Sequence, residues 1–373
     1  MILNTLQPEA AATQPRGMVL VNGEQAAGLV SFEVDNNGYY QADTFRVTLA
    51  LSAQPANRGF AFWAAQTSMK VELLAGYPAN PDNFTKSDLK NWLTGWVDDI
   101  EVSPLQDEIT ITGRDMTAVL VDTKRSIAFT NMKSSEIAKK IAADQGLNAV
   151  VTETNGFAGA MKKIVKQLVN DRATYWDVLT KLAQFEGFDV YVTGDTLHFE
   201  PHTNFPDTYV LNYQPPGAVA YTVANFMDMR FARNLSVARG VKVKVLSWNA
   251  QTNKVVSAVA QRSRVKNATT AKAGANGLPV AEYTFTYPNM DTNQAQKQAQ
   301  SLLKDISQHE VNLSAELVGD DLLTTRTKIE VRGTGTDFDQ TYYPASIQRR
   351  YSLDDGYRMS VRARNYSPES QLS

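Results

Sequence analysis

Apolar and polar residues alternate one for one along several stretches of this chain. A period of two is what strands with one buried face require. Phe45, Val47, Leu49 and Leu51 alternate with Arg46, Thr48 and Ala50. Val30, Phe32 and Val34 do the same just before the turn-rich Asp35-Asn36-Asn37-Gly38. Val71 and Leu73 sit between Lys70 and Glu72, and the polar, Pro-containing stretch from Gly76 to Asn91 reads as a surface loop. Trp92 to Val102 and Glu108 to Gly113 predict a hairpin across Ser103-Pro104-Leu105-Gln106-Asp107. A meander of this kind suggests a small barrel or sandwich.

The pattern changes near Thr123. Ser134 is placed to cap a helix that buries Ile137, Ala138, Ile141 and Ala142, and Gly146 to end it. Ile164 to Val169 reads as a short extended run. Thr174-Tyr175-Trp176-Asp177 opens a second helix as a capping-box variant, with Trp176, Leu179, Leu182 and Ala183 as its stripe and Gly187 as its stop. A hairpin follows through Gly194-Asp195, from Phe188, Val190 and Val192 to Leu197 and Phe199.

The last third returns to strands. Val241, Val243 and Val245 alternate with Lys242 and Lys244, and Tyr283, Phe285 and Tyr287 with Thr284 and Thr286. That aromatic run could serve as a stacking platform for single-stranded nucleic acid, but its alternation favours a buried sheet face. Ala268 to Pro279, small and polar, reads as a mobile loop. Asp291 or Thr292 caps a helix near 292–309, and a final hairpin turns at Asp354-Asp355-Gly356. The hairpin from Gly95 to Asp115 has a late counterpart from Ala345 to Asn365, the trace expected of two copies of one β-domain.

At 373 residues the chain exceeds one typical core, and 43% hydrophobic with 20% charged residues is ordinary for a globular protein. A net charge of -2 argues against a general nucleic-acid binder. With no cysteine, disulfides, thiolate nucleophiles and Cys-ligated metals are excluded. The beginning lacks the pattern of a signal peptide, and no apolar run is long enough to span a bilayer, so no stable membrane association is expected.

Few residues stand in patterns that catalysis would require. His198 and His202 are four apart, but Pro201 lies between them; the third histidine is His309. Adjacent acids at Asp98-Asp99, Asp320-Asp321 and Asp354-Asp355 point to opposite faces of a strand or belong to turns, so they do not make a glycosidase pair. Gly333 to Asp339 lacks the lysine of a P-loop and the spacing of an EF-hand, and reads as a tight loop between strands. No nucleophile-elbow motif occurs. Neither a cofactor nor a metal is expected. Arg358, Arg362 and Arg364 share one strand face, and Lys242 with Lys244 another. Each is either a solvated sheet face or a charged channel lining or subunit contact.

The order of segments resembles a known family. A Gly95-Trp96-Val97-Asp98-Asp99 hairpin runs into Thr112-Gly113-Arg114-Asp115-Met116, then Ser134-Ser135-Glu136-Ile137-Ala138. Thr174-Tyr175-Trp176-Asp177-Val178-Leu179, Glu186-Gly187-Phe188-Asp189-Val190 and Gly194-Asp195-Thr196-Leu197-His198-Phe199 complete the set. This is similar to the late-control D family, the baseplate hubs of contractile phage tails such as that of phage Mu.

The resemblance implies a mainly β fold with an α+β insert: a first tube-type domain over 1–124, an α+β domain over 125–200 and a second tube-type domain over 201–373. It implies a homotrimeric ring that matches a sixfold tail tube to a separate threefold spike, with other baseplate proteins around it and phage DNA passing through. The place implied is the virion baseplate, assembled in the host cytoplasm. Interface or channel candidates are the edge-hairpin residues Asp98, Asp99, Arg349 and Arg350, the strand arginines Arg358, Arg362 and Arg364, and Lys242 and Lys244. The rival readings are a tail-associated receptor- or carbohydrate-binding module, with Trp92, Trp96 and tyrosines stacking on sugars, and a cell-wall hydrolase.

Overall fold

The computed structural model describes residues 1–4, 14–38, 40–124, 129, 132–154, 173–201, 205–217, 221–238, 240–249, 254–261, 281–288, 290–307 and 310–365. The extended run expected at Ile164–Val169 and the loop expected at 268–279 lie outside these residues, as do His202 and His309.

Alternation becomes strand wherever it was expected. The first seven strands are β1 (Arg16–Val21), β2 (Glu24–Gln25), β3 (Leu29–Asn37), β4 (Thr44–Ala50), β5 (Lys70–Gly76), β6 (Lys90–Ser103) and β7 (Glu108–Asp115). Phe45, Val47 and Leu49 on β4 and Ile109 and Ile111 on β7 are buried against Phe32 and Val34 on β3. An α+β unit follows: helix α1 (Ser134–Asp144), β8 (Asn148–Val151), helix α2 (Tyr175–Glu186), β9 (Phe188–Thr193) and β10 (Thr196–Pro201). Its sheet has the order β8-β10-β9, and both helices pack on it through Ile141, Leu179 and Leu182.

Helix α2 is capped as its sequence indicates. Thr174 Oγ1 accepts from the Asp177 amide at 3.0 Å, Asp177 accepts in return from the Thr174 amide at 3.0 Å, and Gly187 closes the helix at φ 71°. Thr174→Ala should therefore lower stability by about 1 kcal/mol, read in urea unfolding followed by helical circular dichroism. Ser134 does not cap α1. The cap position is Lys133, whose amide is held by Glu136, while Ser134 points inward and donates to Glu186 at 2.6 Å.

Beyond residue 201 come β11 (Thr208–Gln214), β12 (Val223–Ala224) and β13 (Asp228–Arg233). Then β14 (Val241–Asn249), β15 (Lys254–Gln261), β16 (Ala281–Pro288) and helix α3 (Thr292–Ser307) make a sheet of their own, in the order β15-β14-β16. Last are β17 (Val311–Val318), β18 (Lys328–Arg332), β19 (Thr341–Ser352) and β20 (Gly356–Arg364). Helix α3 is capped by Asp291, which accepts from the Gln294 amide at 2.8 Å. It covers one face of the three-stranded sheet through Ala295 and Ala299. Tyr283 stays exposed, while Phe285 and Tyr287 are partly buried there, so only part of the expected aromatic face is covered.

The late hairpin is more than an echo. The pairs β1·β2, β3·β4, β4·β7, β5·β6 and β6·β7 recur as β11·β12, β13·β17, β17·β20, β18·β19 and β19·β20. The sixth pair recurs with its direction changed: β1·β5 is antiparallel and β11·β18 parallel. Both β6 and β19 carry a bulge, after Val97 and after Pro344. The two sets of seven strands fuse where Ser346–Ser352 of β19 pair with Asn37–Ser31 of β3, giving one sheet of 14 strands.

Candidate assembly surface

Fusion at β19 and β3 creates a continuous layer in the order β13-β17-β20-β19-β3-β4-β7-β6. Because side chains alternate, one face of this layer supplies both cores. Ile109, Ile111, Phe32 and Val47 are buried in the first half, and Ile347, Val361, Leu313 and Ala315 in the second. The opposite face is polar from strand to strand. Arg46, Glu33, Arg350 and Arg358 stand in one row across β4, β3, β19 and β20. Arg46–Glu33 and Glu33–Arg350 are cross-strand neighbours of opposite charge. Arg350 and Arg358 are exposed neighbours of like charge, and Arg358 reaches Asp355 at 3.9 Å. Gln348 donates to Glu33 at 2.5 Å. Burial raises the Asp35 carboxyl above its usual range, opposed by the Gln348 hydrogen bond and by Arg362. Arg362 is exposed, and it lines a shallow cleft of about 400 Å³ with Arg364, Asn37, Asn312 and Ser346.

The expected surface residues divide into three groups. Arg350, Arg358, Arg362 and Arg364 lie on strands of the polar face, and Asp99 projects from β6 opposite Thr112 on the same face. Asp98 is the residue pushed out at the bulge, and it grips Arg114 through two hydrogen bonds of 2.7 Å. Arg114 also binds Asp122 at 2.9 Å, and these two carboxylates hold its guanidinium firmly protonated. The third group lies off the polar face. Arg349 is 6% exposed and donates to Asn36 Oδ1 and to the Leu323 carbonyl, because it shares the core face with Ile347 and Tyr351. Lys242 and Lys244 belong to the separate β14 sheet, remote in pairing from the arginines, and Lys242 reaches Glu282 at 3.3 Å. Glu33, Arg46 and Arg230 are polar-face residues not singled out from sequence, although the alternation that marks their neighbours includes them.

The joint between the halves is welded by aromatic and acidic groups. Trp92 packs on Tyr357 at 4.4 Å and on Phe32 at 5.1 Å, and its indole N–H reaches Asp321 at 3.3 Å. Tyr77 donates to the Gly319 carbonyl at 3.0 Å, and Tyr357 to the Asp320 carbonyl at 2.6 Å. Asp320 and Asp321 thus serve a turn and this joint. Trp92 is packed here and is not displayed for a sugar.

Two acids lie at the rim of the layer. Asp43 accepts from the Asn37 amide at 2.6 Å and from Asn36 at 2.7 Å, and Asp115 from Thr117 at 3.1 and 3.0 Å. Burial pushes Asp43 up to about 6, and burial with the nearby Asp43 pushes Asp115 up to about 7, from 3.8. A folded carboxyl raised above its unfolded value holds its proton more tightly than the unfolded chain does. Its contribution is full below pH 3.8 and is lost as pH rises through about 6 to 7. Asp115→Asn, which stays neutral, should gain stability relative to the native chain between pH 4.5 and pH 8. Urea unfolding at the two pH values tests this, and parallel curves for the two proteins would refute it.

Among the described residues no group of three or more His, Asp or Glu is arranged to hold a metal. His198 stacks flat on Tyr191 at 4.5 Å, and burial lowers its affinity for a proton. Asp339 closes the Gly333–Asp339 loop by accepting from the Thr334 and Gly335 amides at 2.9 Å each.

No curated protein matches the chain in sequence. The family model described as the Alg8 N-terminal domain matches residues 70–352, which is most of the chain. The chain belongs to the Alg8 N-terminal domain family.

Solved structures extend the likeness in fold. A tail protein from Neisseria meningitidis superimposes with a TM-score of 0.66 at 17% identity, covering 94% of this chain and 96% of that one. The 43 kDa tail protein of prophage MuSo2 from Shewanella oneidensis gives 0.63 at 15% identity, covering 93% and 95%. The E. coli c3393 protein, a type VI secretion component described as similar to T4 tail proteins gp27 and gp5, gives 0.52 at 11%, covering 94% and 77%. The fold is mainly β with several sheets, and it is the fold of phage tail proteins.

Proposed function

We propose that this chain is a structural baseplate hub subunit of late-control D type in a contractile phage tail. The observation that carries the reading is the repeated set of strands fused into one layer with a single polar face. Each copy offers two equivalent units, so three copies offer six, the number needed to meet a sixfold tail tube on one side while keeping threefold symmetry for a separate spike on the other. The polar face with Arg350, Arg358 and Arg362 is a wettable channel wall along which DNA can pass. Assembly is by surface complementarity, without catalysis, and the subunit resides in the virion baseplate after assembly in the host cytoplasm, beside other baseplate proteins. The fold likeness to tail proteins supports this reading.

A second reading has its own observation. Trp248, 54% exposed on β14, stands beside exposed Val255 on the face of the small sheet away from α3. That patch suits a receptor- or carbohydrate-binding module. Native mass spectrometry separates the two: the hub reading expects a homotrimer, and a stable monomer that binds glycan overturns it.

A further inference from the structure

The α+β unit meets the two sets of strands through contacts of different kinds. Toward the first set it shares an apolar core, in which Tyr40, Trp96, Met116 and Leu120 pack with Trp176 and Leu179. Tyr40 also donates to the Phe188 carbonyl at 2.9 Å. Toward the second set it offers the polar face of its sheet, turned away from the helices, where Tyr191 of β9 and His198 of β10 stack at 4.5 Å. Arg326, from the loop before β18, lies over the Tyr191 ring at 4.3 Å and over Phe205 at 5.7 Å. It reaches Asp189 at 3.6 Å and Glu200 at 4.0 Å. We propose that Arg326 is a clamp released by a proton: when His198 takes one up, it draws Glu200 to itself and frees the loop from the α+β unit.

A single oxygen is the point of competition. Glu200 Oε1 accepts from the Tyr191 hydroxyl at 2.6 Å and faces Arg326 at 4.0 Å. It also lies 3.5 Å from His198 Nδ1, which is buried and completes no hydrogen bond. A protonated imidazole turns that gap into a charge-assisted hydrogen bond. It also places a second cation against the ring on which Arg326 rests. Burial keeps the proton affinity of His198 below its ordinary level; Glu200 opposes this and Arg326 adds to it. The closed clamp therefore disfavours the proton, and by linkage the proton disfavours the closed clamp. The remaining neighbours do not reverse this sign. Val150 of β8, beside His198, is uncharged, and Asp189 serves Arg326. Asp207 and Asp321 line the cavity of about 400 Å³ beside Arg326, where they face the Met1 ammonium and the Trp92 indole. Release opens that cavity toward the sheet.

Hydrogen exchange followed by mass spectrometry on the whole chain tests this, with rates corrected for the intrinsic effect of pH. Between pH 7.5 and pH 5 the wild-type loop before β18 and strand β9 should lose protection by about tenfold, the change that follows from a tenfold lower proton affinity in the closed form. His198→Phe keeps a ring against Tyr191 but takes up no proton, so its protection should be equal at the two pH values. Arg326→Gln, which has no clamp to release, should exchange fast at both. Asp43 and Asp115 titrate over the same range at the joint with the first set, and the two variants separate their effect from that of His198. Continued protection of β4 and β7 shows that each variant is folded. Equal protection of the wild-type loop at both pH values overturns the proposal, and so does a pH response that survives in His198→Phe or in Arg326→Gln. Neither outcome bears on the hub reading, since the clamp lies within one chain.

Discussion

Arg349→Ala should weaken the fold by on the order of 3 kcal/mol. The guanidinium is buried where the two halves fuse, and it donates to Asn36 of β3 and to the Leu323 carbonyl of the loop before β18. Truncation leaves one buried and one part-buried acceptor without this donor and a void beside Tyr351, and it withdraws the positive charge that favours ionised Asp43. Arg349→Lys should recover part of the loss, since one amine can reach one of the two acceptors. Guanidinium unfolding curves with equal slopes and a lowered midpoint for the alanine variant would bear this out. Equal midpoints would mean that the buried fork adds nothing to the joint.

Gly113→Ala should be similarly costly, about 3 kcal/mol or more, for a different reason. A Cβ built on Gly113 falls 2.1 Å from the Trp96 carbonyl oxygen and 2.7 Å from the Phe45 ring. The ring can tilt, but the carbonyl belongs to the backbone of β6 just before its bulge, so the hairpin itself has to spread. Differential scanning calorimetry should show a melting temperature many degrees lower.

Much of this architecture was legible in the alternation of residues. The runs around Phe45, Val243 and Tyr357 became strands, and the Thr174–Gly187 helix begins and ends at its signals, because these are local effects that a short window contains. Arg349 shows where reading charge alone fails. Ile347 and Tyr351 flank it at intervals of two, so the period already placed it inward, and charge type was the poorer guide. Lys242 and Lys244 show the converse. Their alternation is indistinguishable from that of the arginine strand, and nothing local says that β14 pairs with β15 and β16 instead of joining the large sheet. Pairing between β19 and β3, separated by some three hundred residues, is a product of global packing and leaves no local mark.

In the proposed hub, copies of this chain enclose a channel with the polar face of the eight-stranded layer. Electron microscopy of the purified protein, averaged to low resolution, tests it most directly. Rings of three copies with an open central hole and six similar lobes around it are expected. Isolated particles without a hole, or pairs related by a twofold axis that bury the polar face, would contradict it.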